Sequence, residues 1–441
     1  MHTKGHPRNS LFGMSWNPAN VTLVIMLTLL FLIFLFLFLT LTAQPAMGQT
    51  YNVIYNIGTL GGSGLFPFAG VTIDRAGNLY VTTKENTGRP DTGTVFMLSH
   101  GGSGWMYSPI YEFRGGDDGS NPYDRVVFGP DGNLYGATAS GGNGTAYCNG
   151  LGGCGTVFRL TKQGDSWQET VLYAFQGGSD GMWPYSGDLL FDRAGNIYGT
   201  TEQGGYTGGN CAARDGCGLV YKLTPSGGGY AESILYRFTD GADGGFPNAG
   251  VISDQAGNLY GATGGNTAYE LMPSGRGWTE NTFFTFQGQS EGSWPFGGLI
   301  FDQQGNLYGT TVWGGMGNAG TVFELTSANG NWTYNLLHTF VTPTYAGGNG
   351  PFSSLTMDAA GNFYGTAGGG GLYGWGAVFK LTRSGSSWTY TSLHDFCRGG
   401  YPCNDGASPT GGVTFDANGN LYGTTYYGGT TWGGVVWEIT P

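Results

Sequence analysis

One four-residue motif, Gly-Asn-Leu-Tyr or a close variant, occurs seven times in this 441-residue chain and constrains its fold more than any other feature. The copies begin at Gly77, Gly132, Gly195, Gly257, Gly305, Gly361 and Gly419. Successive copies are separated by 48 to 63 residues. A repeat of this order of length, made of short strands and Gly-rich turns, is typical of a β-propeller, in which each repeat forms one blade.

The fifth repeat shows how one blade is expected to form. Four short segments rich in β-branched and aromatic residues, bounded by Gly, Asn or Pro, are predicted as strands A to D. They span residues 298–302, 307–311, 321–325 and 332–340. The sequence therefore predicts an all-β chain with four antiparallel strands per blade.

The order of the strands along the chain predicts a closed ring. A strand of type D, residues 51–57, precedes the first A strand, and the last predicted strand is of type C, at residues 435–439. In a ring of seven blades, the N-terminal strand would complete the last blade and leave no free sheet edge. We therefore predict a seven-bladed β-propeller that is closed by its N-terminal strand.

A repeated acidic residue precedes the motif in the turn between strands A and B. An aspartate at this position is expected to accept hydrogen bonds from backbone N–H groups two and three residues on, and the motif glycine then adopts a positive φ. The second repeat differs and uses Gly129-Pro130-Asp131-Gly132. Because the carboxylate recurs in the same turn, we interpret it as structural. The residues are Asp74, Asp192, Asp254, Asp302, Asp358 and Asp416.

The N-terminal segment has the composition of a secretory signal. Lys4 and Arg8 precede a nearly continuous apolar run over residues 21–42, which is followed by the small-residue pattern Ala46-Met47-Gly48. The run is also long enough to span a bilayer, so an uncleaved membrane anchor is the alternative. We predict a signal peptide over residues 1–48 and the propeller over residues 49–441.

The charge balance excludes one class of partner. The chain has a formal net charge of −12, and the segment after residue 48 lacks the charges of Lys4 and Arg8, which makes it −14. Such a surface repels phosphate backbones, so no nucleic-acid partner is expected. The sequence favours a monomer that meets the membrane only if the N-terminal segment is uncleaved.

The six cysteines form three local pairs in segments that are predicted to be loops. In an exported chain such pairs are typical of loop-closing disulfides, whereas a zinc site would require Cys-x-x-Cys pairs or nearby histidines. The pairs are Cys148 with Cys154, Cys211 with Cys217, and Cys397 with Cys403. Together with the signal, they predict a secreted, periplasmic or cell-surface protein.

The complete repeat resembles a known family. Units of the form Phe-Asp-x-x-Gly-Asn-Leu-Tyr-Gly-Thr-Thr, then Gly-Gly, then Gly-Thr-Val-Phe-x-Leu-Thr are clearest at residues 191–223 and 301–325. They resemble the GloVer tandem repeat, named for Gloeobacter and Verrucomicrobia. The resemblance covers nearly the whole chain after residue 48 and implies an exported bacterial protein, without implying a particular activity. The Asp-x-x-Gly-Asn-Leu-Tyr turn is also similar to that of NHL and lactonase-type propellers.

Two repeats depart from the pattern at the start of strand A, near the predicted mouth of the central channel. Five repeats have Gly or Ser there, namely Gly70, Gly250, Gly298, Ser354 and Gly412. The second and third repeats have Arg125 and Asp188, and Asp124 precedes the arginine. We take Asp124, Arg125 and Asp188 as candidate ligand-binding residues. The alternative is an ion pair between neighbouring blades.

Aromatic residues in the loops between strands B and C form a second candidate site. Exposed aromatic rings stack on sugars, and Gly-rich loops supply backbone hydrogen bonds, although packing is the alternative role. The residues are Trp313, Tyr373, Trp375, Tyr426, Tyr427 and Trp432.

The sequence predicts no cofactor, with Ca²⁺ as the alternative. Most loops between strands D and A carry an acidic residue followed by Gly and then Pro, but calcium requires six to eight converging oxygens. One carboxylate per blade is better explained as a cap of its own loop. These residues are Asp118, Asp180, Asp243, Glu291 and Asp405.

Familiar catalytic motifs are absent from the sequence. Three histidines follow residue 48, namely His100, His338 and His394, and neither Gly-x-Ser-x-Gly nor His-Glu-x-x-His occurs. The sequence therefore favours a non-enzymatic propeller that binds a glycan or protein through its loop face. The alternatives are a calcium-dependent hydrolase of the lactonase or esterase type, with Asp124 and Asp188 near the metal, and a structural cell-surface repeat protein.

Overall fold

Seven four-stranded antiparallel sheets form the blades of a β-propeller, which confirms the predicted fold class. The computed structural model describes residues 49–59, 64–89, 91–102, 104–142, 148, 152–184, 187–341, 350–385 and 387–441. Within them Thr50–Thr440 form one unit. The predicted signal peptide, residues 1–48, lies outside the described residues.

The strands of each blade are called A to D in sheet order. Blade 7 ends with the first strand of the chain, β1 (Thr50–Asn56). Blade 1 contains β3 (Thr72–Ile73), β4 (Leu79–Thr83), β6 (Thr94–Gly101) and β7 (Gly104–Glu112). Blade 2 contains β8 (Val127–Phe128), β9 (Leu134–Thr138), β10 (Thr156–Gln163) and β11 (Ser166–Ala174). Blade 3 contains β12 (Leu190–Phe191), β13 (Ile197–Thr201), β14 (Leu219–Ser226) and β15 (Gly229–Arg237). Blade 4 contains β16 (Ile252–Ser253), β17 (Leu259–Thr263), β18 (Thr267–Ser274) and β19 (Gly277–Thr285).

Blade 5 contains β20 (Ile300–Phe301), β21 (Leu307–Thr311), β22 (Thr321–Ala328) and β23 (Asn331–Thr339). Blade 6 contains β24 (Thr356–Met357), β25 (Phe363–Ala367), β26 (Ala377–Ser384) and β27 (Ser387–Asp395). Blade 7 contains β28 (Thr414–Phe415), β29 (Leu421–Thr425) and β30 (Val435–Thr440) in addition to β1. A further two-residue pair beside blade 1, β2 (Gly64–Leu65) with β5 (Glu85–Asn86), was not predicted. Short 3₁₀ helices occur at Gly178–Asp180, Gly209–Arg214 and Gln289–Glu291.

The first and last strands lie side by side in blade 7. β1 runs antiparallel to β30, with Thr50 opposite Thr440 and Asn56 opposite Val435. The ring of Tyr51 also stacks on that of His394 in blade 6, with centroids 3.6 Å apart. The N-terminal strand therefore contributes both to the sheet of blade 7 and to its packing against blade 6.

The A strands are shorter than predicted. In blade 5 the pairing covers only Ile300–Phe301, where the sequence predicted residues 298–302, while strand C extends to Ala328. The start of strand A faces the neighbouring blades instead of its own sheet. A Cβ atom added to Gly70 would lie 2.4 Å from the carbonyl oxygen of Gly412, so this close approach requires glycine.

Edge-to-face aromatic pairs join successive blades. In each pair, the ring that follows strand D of one blade contacts a ring in strand C of the next, at centroid distances of 4.9 to 5.2 Å. These rings lie among the hydrophobic clusters between the sheets, which stabilise the ring of blades. The pairs are Phe113–Phe158, Phe175–Tyr221, Phe238–Tyr269, Phe286–Phe323 and Phe340–Phe379.

Candidate functional site

The starts of the A strands surround a central cavity of about 330 Å³. This volume lies at the lower end of the range of about 300–1,000 Å³ for small-molecule sites. Asp124, Arg125 and Asp188 all line the cavity. The structure thus brings together the three residues that break the sequence repeat at the start of strand A.

Arg125 and Asp188 form an ion pair across the boundary between blades 2 and 3. The Nε–H of Arg125 lies 2.9 Å from each carboxylate oxygen of Asp188, and Nη2 also donates to Oδ2. Both side chains are half-buried. The ion pair that the sequence left as an alternative is therefore present, and it occupies one edge of the guanidinium group. A ligand-binding role for these residues stays a prediction.

Asp124 lies beside this ion pair and is anchored to the next blade. Its Oδ1 accepts a hydrogen bond from the backbone N–H of Gly187 at 2.6 Å. Burial raises the pKa of Asp124 to about 7, although the hydrogen bond from Gly187 lowers it. The wall of the cavity therefore carries a carboxyl group whose proton is exchanged near neutral pH.

Phenylalanine rings form another part of the cavity wall. Phe296 meets both Phe352 and Phe68 edge to face, at centroid distances of 5.4 and 6.2 Å. Each of the three residues directly follows the proline of a loop between strands D and A. In the fourth repeat the same position is Asn248, which also lines the cavity.

A second region, which we call the aromatic surface, lies where blades 6, 7 and 1 meet. It consists of Phe66, Trp375, Tyr401, Tyr426, Tyr427 and Trp432. Trp432 is its centre, since its ring lies 5.7 Å from Tyr427, 6.0 Å from Trp375 and 5.2 Å from Tyr401. Tyr426 extends the group to Phe66, whose ring stacks on it at 5.3 Å. Four of the predicted residues, from the loops between strands B and C of blades 6 and 7, thus form one continuous group.

Backbone contacts and a disulfide hold these loops in place. The N–H of Ser408 donates to the carbonyl oxygen of Trp375 at 2.8 Å, and Tyr427 exchanges two backbone hydrogen bonds with Ala407. The Cys397–Cys403 disulfide packs under the rings of Tyr427 and Trp432. Tyr401 lies within the loop that this disulfide closes, and its side chain is 81% exposed. Trp375 is 38% exposed, so both rings are available to a ligand.

The other two aromatic candidates lie outside this group. Tyr373 is 40% exposed and belongs to the same loop as Trp375. Trp313 lies in blade 5, where its backbone pairs with Ser293. Contact of either residue with a ligand stays a prediction.

The acidic residues of the loops between strands D and A cap their own loops. Oδ2 of Asp118 accepts from the backbone N–H of Arg114 and from the hydroxyl of Tyr111, at 3.0 and 2.9 Å. Asp180 and Asp243 repeat this arrangement. Within the described part of the chain, no cluster of three or more His, Cys, Asp or Glu side chains is arranged to hold a metal ion.

Two further predictions concern the environment of the protein. All three predicted disulfides are present, which is consistent with an oxidising compartment. Cys211 lies in a short 3₁₀ helix, where the sequence predicted a loop. In the described ranges, no helix has the length and apolar character needed to cross a bilayer.

Sequence reasoning missed several residues of the two regions. Tyr401 carried a usable signal, because it lies between two paired cysteines with an exposed loop around it. Asn248 carried another, because it replaces the phenylalanine that follows the loop proline in three other repeats. Phe66 precedes a proline and adopts a φ of 57°, which nothing in its residue type indicates.

The chain matches a family model described as the Gloeobacter/Verrucomicrobia repeat, over residues 40–265, 143–343 and 263–441. No curated protein matches the sequence. Similar solved structures include a candidate 6-phosphogluconolactonase from Bacteroides uniformis, with 13% identity over 78% of this chain and 95% of that chain and a TM-score of 0.48. A gluconolactonase from Xanthomonas campestris has 13% identity over 72% of this chain and 86% of that chain, with a TM-score of 0.40. Likenesses this distant carry no conclusion about activity.

Proposed function

The chain belongs to the family of Gloeobacter/Verrucomicrobia repeats, and from that premise we propose that it is an exported, non-enzymatic propeller that binds glycans through the aromatic surface. The observation that carries this proposal is the continuous group of rings around Trp432, with exposed faces at Trp375 and Tyr401. Membership of a repeat family does not by itself identify a chemistry, so the proposal rests on the site.

Aromatic rings suit sugars because their apolar faces pack against the C–H faces of pyranose rings. Trp and Tyr also keep a polar atom at the ring edge for hydrogen bonding. Exposed Arg398 and Asn404 lie in or beside the disulfide loop that carries Tyr401 and supply further hydrogen-bonding groups. The combination favours a neutral or weakly polar glycan chain that runs over several rings.

The hydrolase alternative is less well supported by the geometry. A metal at the cavity would require free carboxylates, but Asp188 is paired with Arg125. The cavity is lined by no histidine among the described residues, and the rings of His338 and His394 stack on Tyr390 and Tyr51. A binding role therefore accounts for more of the observed contacts than hydrolysis does.

A glycan array with the purified protein tests the proposal. We expect saturable binding to one class of glycans, which Tyr401→Ala and Trp375→Ala each weaken by at least about tenfold, the equivalent of roughly 1.4 kcal/mol. Tyr206→Ala is the matched control, because Tyr206 is 44% exposed in a loop of blade 3. An array without specific binding would contradict the proposal and favour a protein ligand or a structural role.

A further inference from the structure

The central cavity differs from the aromatic surface in shape and chemistry. We propose that it is a second binding site, adjoining the aromatic surface through the contact of Phe68 with Tyr426, for one small uncharged polyhydroxylated molecule of about the size of a monosaccharide. Three observations carry this inference: the position of Asn248, the neutralised charge of the Arg125–Asp188 pair, and the phenylalanine rings of the cavity wall.

Asn248 has hydrogen-bonding capacity that the protein does not use. Asn248 is 1% exposed and is one of the residues that line the cavity. Among the described residues, neither Oδ1 nor Nδ2 of Asn248 has a hydrogen-bond partner. A buried amide without partners destabilises the folded state, so a residue that keeps one is expected to serve a ligand or an ordered water.

Asn248 differs from the residue that is most common at its position in the repeat, although that position is tyrosine in the second and third repeats and Thr410 in the seventh. Phe68, Phe296 and Phe352 occupy the corresponding position in three other repeats. A phenylalanine at residue 248 would continue the aromatic wall and leave no polar group buried. The fourth repeat therefore has, in place of a ring that would stabilise the wall, an amide that can both donate and accept hydrogen bonds.

The Arg125–Asp188 ion pair argues against an ionic ligand. Both oxygens of the Asp188 carboxylate bind Arg125, and Nη1 of Arg125 lies 3.4 Å from Oγ1 of Thr414. An anion would have to displace Asp188, and a cation would approach the guanidinium group. An uncharged hydroxyl group neither displaces Asp188 nor is repelled by Arg125. It can both donate and accept hydrogen bonds, so it can bind the amide of Asn248 and the carboxyl group of Asp124.

The phenylalanine rings of the cavity wall favour contact with the C–H face of such a molecule. The rings of Phe68, Phe296 and Phe352 meet edge to face and present apolar carbon to the cavity. Polar groups therefore lie on one part of the wall and apolar rings on another. This division matches a sugar ring, which has hydroxyl edges and C–H faces.

Calorimetric titration of the purified protein with D-glucose, D-galactose and D-mannose tests the inference, with D-glucuronate and choline as charged comparators. We expect saturable binding of at least one neutral hexose and none of the two ions. Asn248→Leu should weaken hexose binding at least tenfold while leaving the melting temperature unchanged or higher, because the amide has no protein partner to lose. Asp188→Asn should leave Arg125 unpaired and shift the preference towards glucuronate.

Tyr401→Ala separates the two sites, because it lies on the aromatic surface and should leave hexose binding in the cavity unchanged. Three results would overturn the inference: no hexose binds to the unmodified protein, the hexose binds Asn248→Leu as tightly, or glucuronate or choline binds in preference to the hexoses. Loss of array binding in Tyr401→Ala with intact hexose binding would leave both proposals standing.

Discussion

At the scale of the residue, the Gly-Asn-Leu-Tyr motif is explained by a single carboxylate. Asp302 accepts the backbone N–H groups of Gln304 and Asn306 at 2.8 Å, the side-chain amide of Asn306 at 2.8 Å, and the hydroxyl of Tyr308 at 3.1 Å. The backbone acceptor pattern is two and four residues on, where the sequence predicted two and three. Leu307 is fully buried, and Gly305 has a φ of 86°. Each residue of the motif thus has its own structural role.

Blade 2 reaches the same arrangement from a different residue. Asp131, which lies two residues before Asn133, accepts the side-chain amide of Asn133 and the hydroxyl of Tyr135 at 2.6 and 2.8 Å. The departure Gly129-Pro130-Asp131-Gly132 therefore preserves the acceptor while changing its position. Since the Asn and Tyr side chains both donate hydrogen bonds to the carboxylate, we conclude that the repeated motif stabilises the turn and has no catalytic role.

Replacement of Asp302 by alanine should destabilise the protein by about 1–3 kcal/mol, because several donors lose a charged acceptor at once. Urea denaturation of Asp302→Ala against the unmodified protein measures the change. Asp165→Ala is the control, since Asp165 is exposed in the turn between β10 and β11, and it should change stability by less than about 0.5 kcal/mol. Equal stability of the two variants would contradict this account of the motif.

At the scale of the element, strand D carries two kinds of residue at one inward position. Opposite the buried leucine or isoleucine at the fifth position of strand C, four blades have tyrosine and three have glutamate. The tyrosines stack on a ring of the preceding blade, as Tyr334 does on Phe284 at 5.4 Å. The two sets are Tyr51, Tyr107, Tyr334 and Tyr390, and Glu169, Glu232 and Glu280.

Two of these glutamates, Glu169 and Glu232, make blades 2 and 3 sensitive to pH. Burial, and then the nearby carboxylate of Asp118, raise the pKa of Glu169 to about 7; burial and Asp180 do the same for Glu232. Oε1 of each is buried and has no hydrogen-bond partner among the described residues. Because the folded-state pKa exceeds the value of about 4.3 in the unfolded chain, their stabilising contribution is complete below about pH 4 and is lost as the pH rises through 7.

We therefore expect Glu169→Gln/Glu232→Gln to raise the melting temperature by about 2 °C or more at pH 8 and to leave it unchanged at pH 4. The comparison with the unmodified protein isolates these groups from Asp124, whose pKa burial also raises to about 7, and from His338, whose pKa burial lowers to about 4. Glu112→Gln, at the exposed end of β7, should have no effect at either pH. If the melting temperatures of the double variant and the unmodified protein changed equally between pH 4 and pH 8, the assignment of the pH sensitivity to Glu169 and Glu232 would be refuted.

The disulfide loops permit a paired test of the aromatic surface. Each disulfide closes a short loop, so its removal should cost roughly 2 kcal/mol of stability. Cys397→Ser/Cys403→Ser should also weaken glycan binding at least tenfold, because this disulfide supports Tyr427 and Trp432. Cys211→Ser/Cys217→Ser should lose similar stability but keep its binding. Equal binding losses in the two variants, measured by calorimetry, would show that the effect is one of general stability.

At the scale of the whole molecule, the repeat was sufficient to predict the fold but not the sites. The number of blades and the order of the strands follow from the spacing of the motif, because every repeat forms the same sheet. The disulfide pairing follows from the short separation between the two cysteines of each pair. The contacts of Trp432 with Trp375 and with Tyr401 depend on which loops of neighbouring blades meet, and the spacing of the repeats does not encode this. The shortening of the A strands likewise follows from close approach between blades, such as that of Gly70 to Gly412.

The pairing of β1 with β30 should make the N-terminal strand essential to stability. Removal of residues 49–58 exposes the edge of β30 and the side chains packed against β1, at a cost on the order of 5 kcal/mol. Thermal unfolding of the shortened protein should show a lower midpoint, and addition of a peptide of residues 49–58 should raise it again. An unchanged midpoint would contradict a structural role for this pairing.

The most direct test of the central claim is the affinity of the best array glycan for three variants, measured by calorimetry. The account predicts that Tyr401→Ala and Trp375→Ala bind at least tenfold more weakly than the unmodified protein, while Tyr206→Ala binds equally well. Equal affinities for all three variants would contradict glycan recognition by the aromatic surface.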